Sequence, residues 1–163
     1  MSRAFVREDR PDNEPLPDLP ISPHPNLVTR RGLRLLEARL AETRARLASL
    51  RARSDRLDTM PERAAERDIR YLSARLGSAI LTPSAAPVAV GFGHVVDLVD
   101  DGGGAHRFQI VGEDEADAAR GLIAPQAPLA RAMFGLAVGE GFTWRRPGGP
   151  REMEIVAISL PEP

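Results

Sequence analysis

Two aspartates, Asp55 and Asp58, stand three residues apart in a polar stretch that also contains Glu62. A pair of exposed carboxylates offers too few oxygens to hold Mg²⁺ alone, because that ion takes near-octahedral oxygen coordination and keeps several waters. Such a pair could complete a site in another protein, donating oxygens to a weakly held second metal and orienting a water. Simple solvation is the competing reading. The acidic run Glu113, Asp114, Glu115 and Asp117 does not have the spacing of an EF-hand loop and lacks its terminal bidentate glutamate. It reads as a solvated turn rather than a calcium site. His24, His94 and His106 are not at metal-ligand spacing, and no cysteine exists to supply a thiolate. Gly91-Phe92-Gly93 opens a strand pattern with no helix behind it, which argues against a phosphate loop. No serine sits in a nucleophile-elbow pattern. Hydrolase, nucleotide-binding and zinc chemistry therefore have no support.

Composition sets the frame around those residues. A chain of 163 residues holds one ordinary domain, or a compact domain with an elongated appendage. No apolar run approaches the roughly 20 residues that span a bilayer, and the first residues lack the layout of a signal peptide. A soluble cytoplasmic protein with no membrane partner is expected. All 22 basic residues are arginine, and they are unevenly placed. Arginine against acid runs 3 to 5 over residues 1–28, 13 to 7 over residues 29–83 and 6 to 11 over residues 84–163. A basic middle followed by an acidic end favours a large partner with patches of both signs.

Three pieces position the candidate residues. Residues 1–27 carry five acids and six prolines with scattered apolar side chains, and read as a flexible or polyproline-like leader. From Thr29, a plausible N-cap, leucines recur at Leu33, Leu36, Leu40, Leu47, Leu50 and Leu57, with Thr43 and Ser54 filling the gaps in a coiled-coil heptad row. Pro61 interrupts, and Ala65, Ile69, Leu72, Leu76 and Ala79 repeat the pattern before Pro83. Two such helices make an antiparallel hairpin over residues 28–83. Facing pairs such as Leu47 with Ile69 and Leu40 with Leu76 have residue numbers summing to 116, so the fold-back centres near Leu57 and Asp58. The tip then carries Asp55, Asp58 and Glu62 at the end of an arm roughly 35 Å long. The Arg-rich arms could contact phosphates, or could be a solvated face with intrahelical ion pairs; spacing alone leaves both open.

Residues 84–163 form the third piece. Val88 to Val99, His106 to Val111, Phe142 to Arg145 and Glu152 to Ile158 have strand character, with turns at Asp100 to Gly104 and Pro147 to Pro150. Pro128 to Phe134 reads as a short helix ended by Gly135. The fold class expected is α+β: an N-terminal coiled-coil hairpin, then a small antiparallel sheet with a covering helix.

The third piece resembles the GreA/GreB transcript cleavage factor family. Val90-Gly91-Phe92-Gly93, Phe108-Gln109-Ile110-Val111-Gly112-Glu113-Asp114-Glu115-Ala116-Asp117, Pro128-Leu129-Ala130-Arg131-Ala132, Pro147-Gly148-Gly149 and the strand Glu152 to Ile158 follow the family's order and spacing. Met1 to Phe5 and Val28 to Leu36 look like the GreB branch. The resemblance implies an FKBP-like C-terminal domain that docks at the rim of the RNA polymerase secondary channel while the hairpin enters it. It implies an accessory factor and not a free-standing enzyme, acting on nascent RNA only indirectly, and a monomer is expected. Two acidic tip residues in the family help bind the second Mg²⁺ of the polymerase active site and activate water to cleave backtracked RNA; Asp55 and Asp58 match them by register. The chain has no cofactor of its own on this reading. The family's rim-contacting turn falls on Gln126, Ala127 and Pro128, of which the proline matches well.

The chain also departs from the family. Asp55-Arg56-Leu57-Asp58-Thr59 replaces an acid followed by Ser, Glu and Asn, so a glutamate has become the shorter aspartate. Both arms are about one heptad short, which withdraws the tip by roughly 10 Å. Recruitment to polymerase therefore stands on firmer ground than cleavage. The rival reading is a secondary-channel binding module without chemistry that competes with cleavage factors or alters initiation. A prolyl isomerase, the third reading, is disfavoured because one Trp, one Tyr and five Phe leave little for an aromatic pocket.

Overall fold

The computed structural model describes residues 14–54, 58–83 and 85–162. Helices α1 (Arg30–Arg51) and α2 (Met60–Gly77) form the hairpin. Helix α1 begins where the Thr29 side chain accepts a hydrogen bond from Gly32 N at 2.8 Å. Pro61 lies in the first turn of α2, where its missing N–H removes no helical bond. Leu36, Leu40 and Leu47 of α1 and Ala65 and Leu72 of α2 are buried between the arms. Thr43 is tolerated in the leucine row because its hydroxyl donates to the Arg39 carbonyl at 2.7 Å. The row does not continue as a helix through Ser54: α1 stops at Arg51, and Ser54 is exposed in a bend because the chain is already reversing. Leu57 lies outside the described residues. Near the far end Arg51 Nη2 reaches Glu66 Oε1 at 2.6 Å across the arms, a pair whose numbers sum to 117, close to the expected register.

The sheet domain has five strands in the order β5-β4-β3-β7-β6: β3 (Val95–Asp100), β4 (Ala105–Ile110), β5 (Leu122–Ile123), β6 (Gly141–Arg146) and β7 (Gly149–Ser159). All neighbours are antiparallel except β4 and β5, so the sheet is mixed rather than wholly antiparallel. Helix α3 (Pro128–Met133) lays Leu129, Ala130 and Met133 on Val96, Leu98, Ile110, Met153 and Ile155. The first large strand begins at Val95 and not at Val88. Gly93, at φ 84°, turns the chain, and His94 Nδ1 accepts from Gly91 N at 3.0 Å. Nδ1 also lies 3.1 Å from the Ala89 carbonyl, and Nε2 faces the Ala85 carbonyl at 3.2 Å. Val90 instead exchanges two backbone hydrogen bonds of 2.8 Å with Gly135 and Leu136, the residues after α3.

The β3–β4 turn is organised by Asp100, whose side chain is almost fully buried. Its Oδ1 accepts from Gly102 N and Gly104 N, and its Oδ2 takes His106 Nε2 at 2.8 Å and Arg151 Nη1 at 2.6 Å. These donors, His106 foremost and Gly104 N next, hold the carboxyl well below the ordinary aspartate range.

A tight joint fixes the hairpin to the sheet domain. Short strands β1 (Leu27–Val28) and β2 (Ile80–Leu81) pair in parallel at the base of the arms. The acidic run expected as a solvated turn sits against the helices instead. Asp114 Oδ2 receives Arg75 Nε at 2.5 Å and its Oδ1 receives the Tyr71 hydroxyl at 2.7 Å, while Arg75 Nη2 reaches Glu113 Oε2 at 3.4 Å. Arg75 is 1% exposed. Burial and the bond to Asp114 push the Tyr71 hydroxyl above the ordinary phenol range. Glu115, also buried, accepts from Thr29 Oγ1 at 2.5 Å and Arg31 Nη1 at 3.2 Å. Gly32 makes room for it: a Cβ there would stand 2.5 Å from Glu115 Oε2.

Over residues 14–26 the leader, read from sequence as flexible or polyproline-like, makes contacts with the body. Asp18 and the Leu16 carbonyl accept from Arg70, Ser22 Oγ donates to Glu113 Oε1 at 2.8 Å, and buried Asn26 donates to the Arg75 carbonyl at 2.7 Å. Residues 1–13 lie outside the described residues.

Removing one member of a buried ion pair strands the other, at a cost of about 3–5 kcal/mol. Arg75→Ala should lower the urea midpoint accordingly, while Arg75→Met with Asp114→Leu should lose much less; equal midpoints for wild type and Arg75→Ala would show that the joint contributes nothing. Asp100 supplies a pH signature. With its folded pKa depressed, its contribution is complete above the unfolded aspartate pKa of about 3.9 and is lost as pH falls through the folded value. Asp100→Asn should therefore melt lower than wild type at pH 7, with the gap closing in strongly acidic buffer.

Candidate functional site

The two expected sites lie on different bodies. At the hairpin tip, Asp55 lies outside the described residues, and Asp58 is exposed just before α2. Asp58 Oδ1 accepts from Met60 N at 2.9 Å, so the carboxylate satisfies a donor at the open N-terminus of α2 and sits in the favourable field of the helix dipole. Thr59, at the N-cap position, makes no side-chain capping bond, which leaves that task to Asp58. Glu62, the third tip acid, is 4% exposed in the first turn of α2 and does not face solvent. Among the described residues no three acidic or histidine side chains gather as a metal site. A single carboxylate such as Asp58 offers too few oxygens to hold Mg²⁺ by itself.

The second candidate, Gln126 to Pro128, forms the turn that leads into α3. Ala127 N bonds the Ala124 carbonyl at 3.0 Å, with Pro125 at the second position where a fixed φ suits a β-turn. Pro128 starts the helix and is exposed; Ala127 is half-buried against the sheet core. Gln126 is also half-buried, and its Oε1 is a buried oxygen with no hydrogen-bond partner. Of the three, Pro128 presents itself best to a partner. Arg131, Phe134 and Val138 are exposed beside it, the last two at 54% and 57%, an apolar extension the sequence did not single out.

What connects the two is the joint described above. Helix α1, of 22 residues, spans about 33 Å, and its base is where Thr29, Arg31 and Gly32 meet Glu115. Tyr71, Arg75 and Glu113 to Glu115 thus determine where the tip points relative to the turn. The one local signal for them was an arginine between the seam residues Leu72 and Leu76, and it has no meaning until the acidic run is known to face it.

Comparisons with known proteins identify relatives of this chain. The family model described as transcription elongation factor, GreA/GreB, C-term matches residues 85–160. The transcription elongation factor GreA of Ralstonia nicotianae is 30% identical over 150 residues, covering 80% of this chain and 95% of the relative. That of Alkalilimnicola ehrlichii is 44% identical over 94 residues, 55% of this chain and 60% of the relative. GreB of Xanthomonas axonopodis pv. citri is 41% identical over 97 residues, 57% of each chain. Against the first of these by similarity, from Alkalilimnicola, the chain therefore spans about three fifths of the relative's length. Among solved structures, GreA factor homolog 1 (Gfh1) of Thermus thermophilus aligns at 26% identity over 83% of this chain and 99% of that one, with a TM-score of 0.41. With one relative matched over nearly its whole length and the family model matched across the sheet domain, the chain belongs to the GreA/GreB family of transcription elongation factors.

Proposed function

We propose that the chain is an accessory factor of RNA polymerase, organised as a leader (1–27), a hairpin (28–83) and a docking domain (84–163). The docking domain binds at the rim of the secondary channel through Gln126, Ala127 and Pro128, and the hairpin enters the channel. The observation that carries this reading is the joint: buried Arg75, held by Asp114 and Glu113, makes the arm a fixed extension of the domain that carries the family's sequence. A rigid probe on a docking head suits delivery of side chains to a distant active centre.

At that centre Asp55 and Asp58 contribute oxygens toward a Mg²⁺ that polymerase supplies, and orient a water for cleavage of backtracked RNA. When bound there, the ion supplies Lewis acidity and a more acidic water. The chain's own part is to place negative oxygen at the end of a rigid arm. The factor has no chemistry in isolation, and the compartment is the cytoplasm; among the described residues no helix is long and apolar enough to cross a membrane.

A second reading, channel binding without cleavage, draws on one specific feature: Asp58 is already engaged in capping α2. The two are separated by a variant that keeps the cap and removes the charge. Asparagine caps a helix as well as aspartate, so Asp58→Asn should keep the cap, lose only the helix-dipole contribution of about 0.3–1 kcal/mol, and leave polymerase binding unchanged. If Asp58 serves the metal, release of short 3′ RNA from a backtracked complex should fall by at least about tenfold. Unchanged release in both Asp58→Asn and Asp55→Asn would rule out the cleavage role, and absence of release from wild type in a demonstrably bound complex would establish the second reading.

A further inference from the structure

We propose that residues 14–22 are an autoinhibitory strap, a segment that covers one side of the hairpin in the free protein and must leave for the arm to enter its partner. The inference rests on the accessory-factor reading and concerns its regulation. Burial along the segment repeats every third residue: Leu16, Leu19 and Ser22 are half-buried and the residues between them are exposed. That period is the three-residue turn of a polyproline helix, for which Pro15, Pro17, Pro20 and Pro23 preset φ. The contact face is specific. Arg70 holds the strap as a fork, Nε to Asp18 Oδ1 at 2.6 Å and Nη2 to the Leu16 carbonyl at 2.7 Å. Leu19 forms one wall of a groove of about 320 Å³ whose other walls include Arg39, Thr43, Arg46, Tyr71 and Leu72 from both arms. Ser22 ends the contact on Glu113, the carboxylate that also meets Arg75.

Two properties make this a strap and not a permanent part of the hairpin. Its ionic anchor is open to water, with Asp18 side chain 74% exposed and Arg70 40%, so solvent competes for the pair. Apart from that anchor and the Ser22 hydrogen bond, it contributes two half-buried leucines and leaves its prolines exposed. It also pairs Arg70 with Asp18 and walls one side of the groove beside Arg39 and Arg46, so an arm bearing the strap is thicker and less basic on that side than a bare one. A channel that fits two helices closely, or that presents acidic walls, discriminates between the two states. An arm that is bare for only a fraction of the time shows an affinity reduced by that fraction.

The test uses the full chain with changes confined to the strap: Leu16→Ser, Asp18→Arg and Leu19→Ser together. This opened variant should bind RNA polymerase about three- to tenfold more tightly than wild type. The natural chain has no cysteine, so cysteines placed at Pro17 and at Ser73 on the exposed side of α2 can carry spin labels. Labelled protein with the natural strap should give one short, narrow distance when free and a longer, broad one when polymerase is added. Equal affinity of the opened variant, or a short distance that persists in the complex, would overturn the strap. Failure of both proteins to bind polymerase would instead overturn the accessory-factor reading and the strap's inhibitory role with it, and the short distance in the free protein would identify that outcome.

Discussion

A single guanidinium out of water governs the geometry of this molecule. Arg75 is buried at the base of the hairpin, and the carboxylates that compensate it, Asp114 and Glu113, belong to the sheet domain. Desolvating such a pair is expensive, and hydrophobic residues of similar size are often as stable or more so. What the ionic version adds is direction. Both Asp114 oxygens are committed, one to Arg75 and one to Tyr71, so the helix cannot rotate or slide without breaking a buried bond. On an arm of about 33 Å, a tilt of about 10° at the base displaces the tip by about 6 Å, far beyond what positioned chemistry tolerates. The second contact, Glu115 with Thr29 and Arg31 on α1, restrains the other arm against the same short acidic segment.

That joint changes the meaning of the charge distribution. A basic middle and an acidic end, read along the sequence, suggest an outside partner with patches of both signs. In the fold, part of this asymmetry is satisfied internally. Arg75 and Arg31 meet Glu113, Asp114 and Glu115, and Arg70 meets Asp18 of the leader. Charges separated by about 40 to 85 positions in the chain lie within hydrogen-bond reach of each other. The field left for a partner is smaller than the sequence count implies.

The features legible in the sequence are those with local causes. Leucines stepping by three and four mark both helices, Thr29 marks the start of α1, and Pro128 with Gly135 brackets α3, because period, cap and breaker act within a few residues. Fold-back register was legible for the same reason, since two periodic rows admit few pairings. Long-range pairing was not legible. An acidic run that faces solvent and one that faces a buried arginine have the same residues, so Glu113 to Glu115 could not be distinguished locally. Strands β1 and β2, two residues each, carry no periodicity at all. Val88 to His94 has the composition of a strand, and the turn at Gly93 and the pairing of Val90 with the loop after α3 take it out of the sheet. The prolines of the leader exclude helix there, but they could not signal a surface for the segment to lie on.

The tip poses an opposite problem, because there one residue has two masters. Helix α2 exposes unpaired N–H groups at its start, equivalent to roughly half a positive charge, and Asp58 is placed to answer them. A cation approaching the same carboxylate meets that field as repulsion. Asp58 is therefore a poor metal ligand in the free protein for the same reason that it is a good cap. The balance shifts only where a surrounding site already concentrates negative charge, as a centre built of carboxylates and phosphates does, because the ion is then held by that site and asks the tip for no more than a shared oxygen. Capping and metal ligation thus compete for one carboxylate, and the charge of the surroundings, not the carboxylate itself, sets which of the two it can serve.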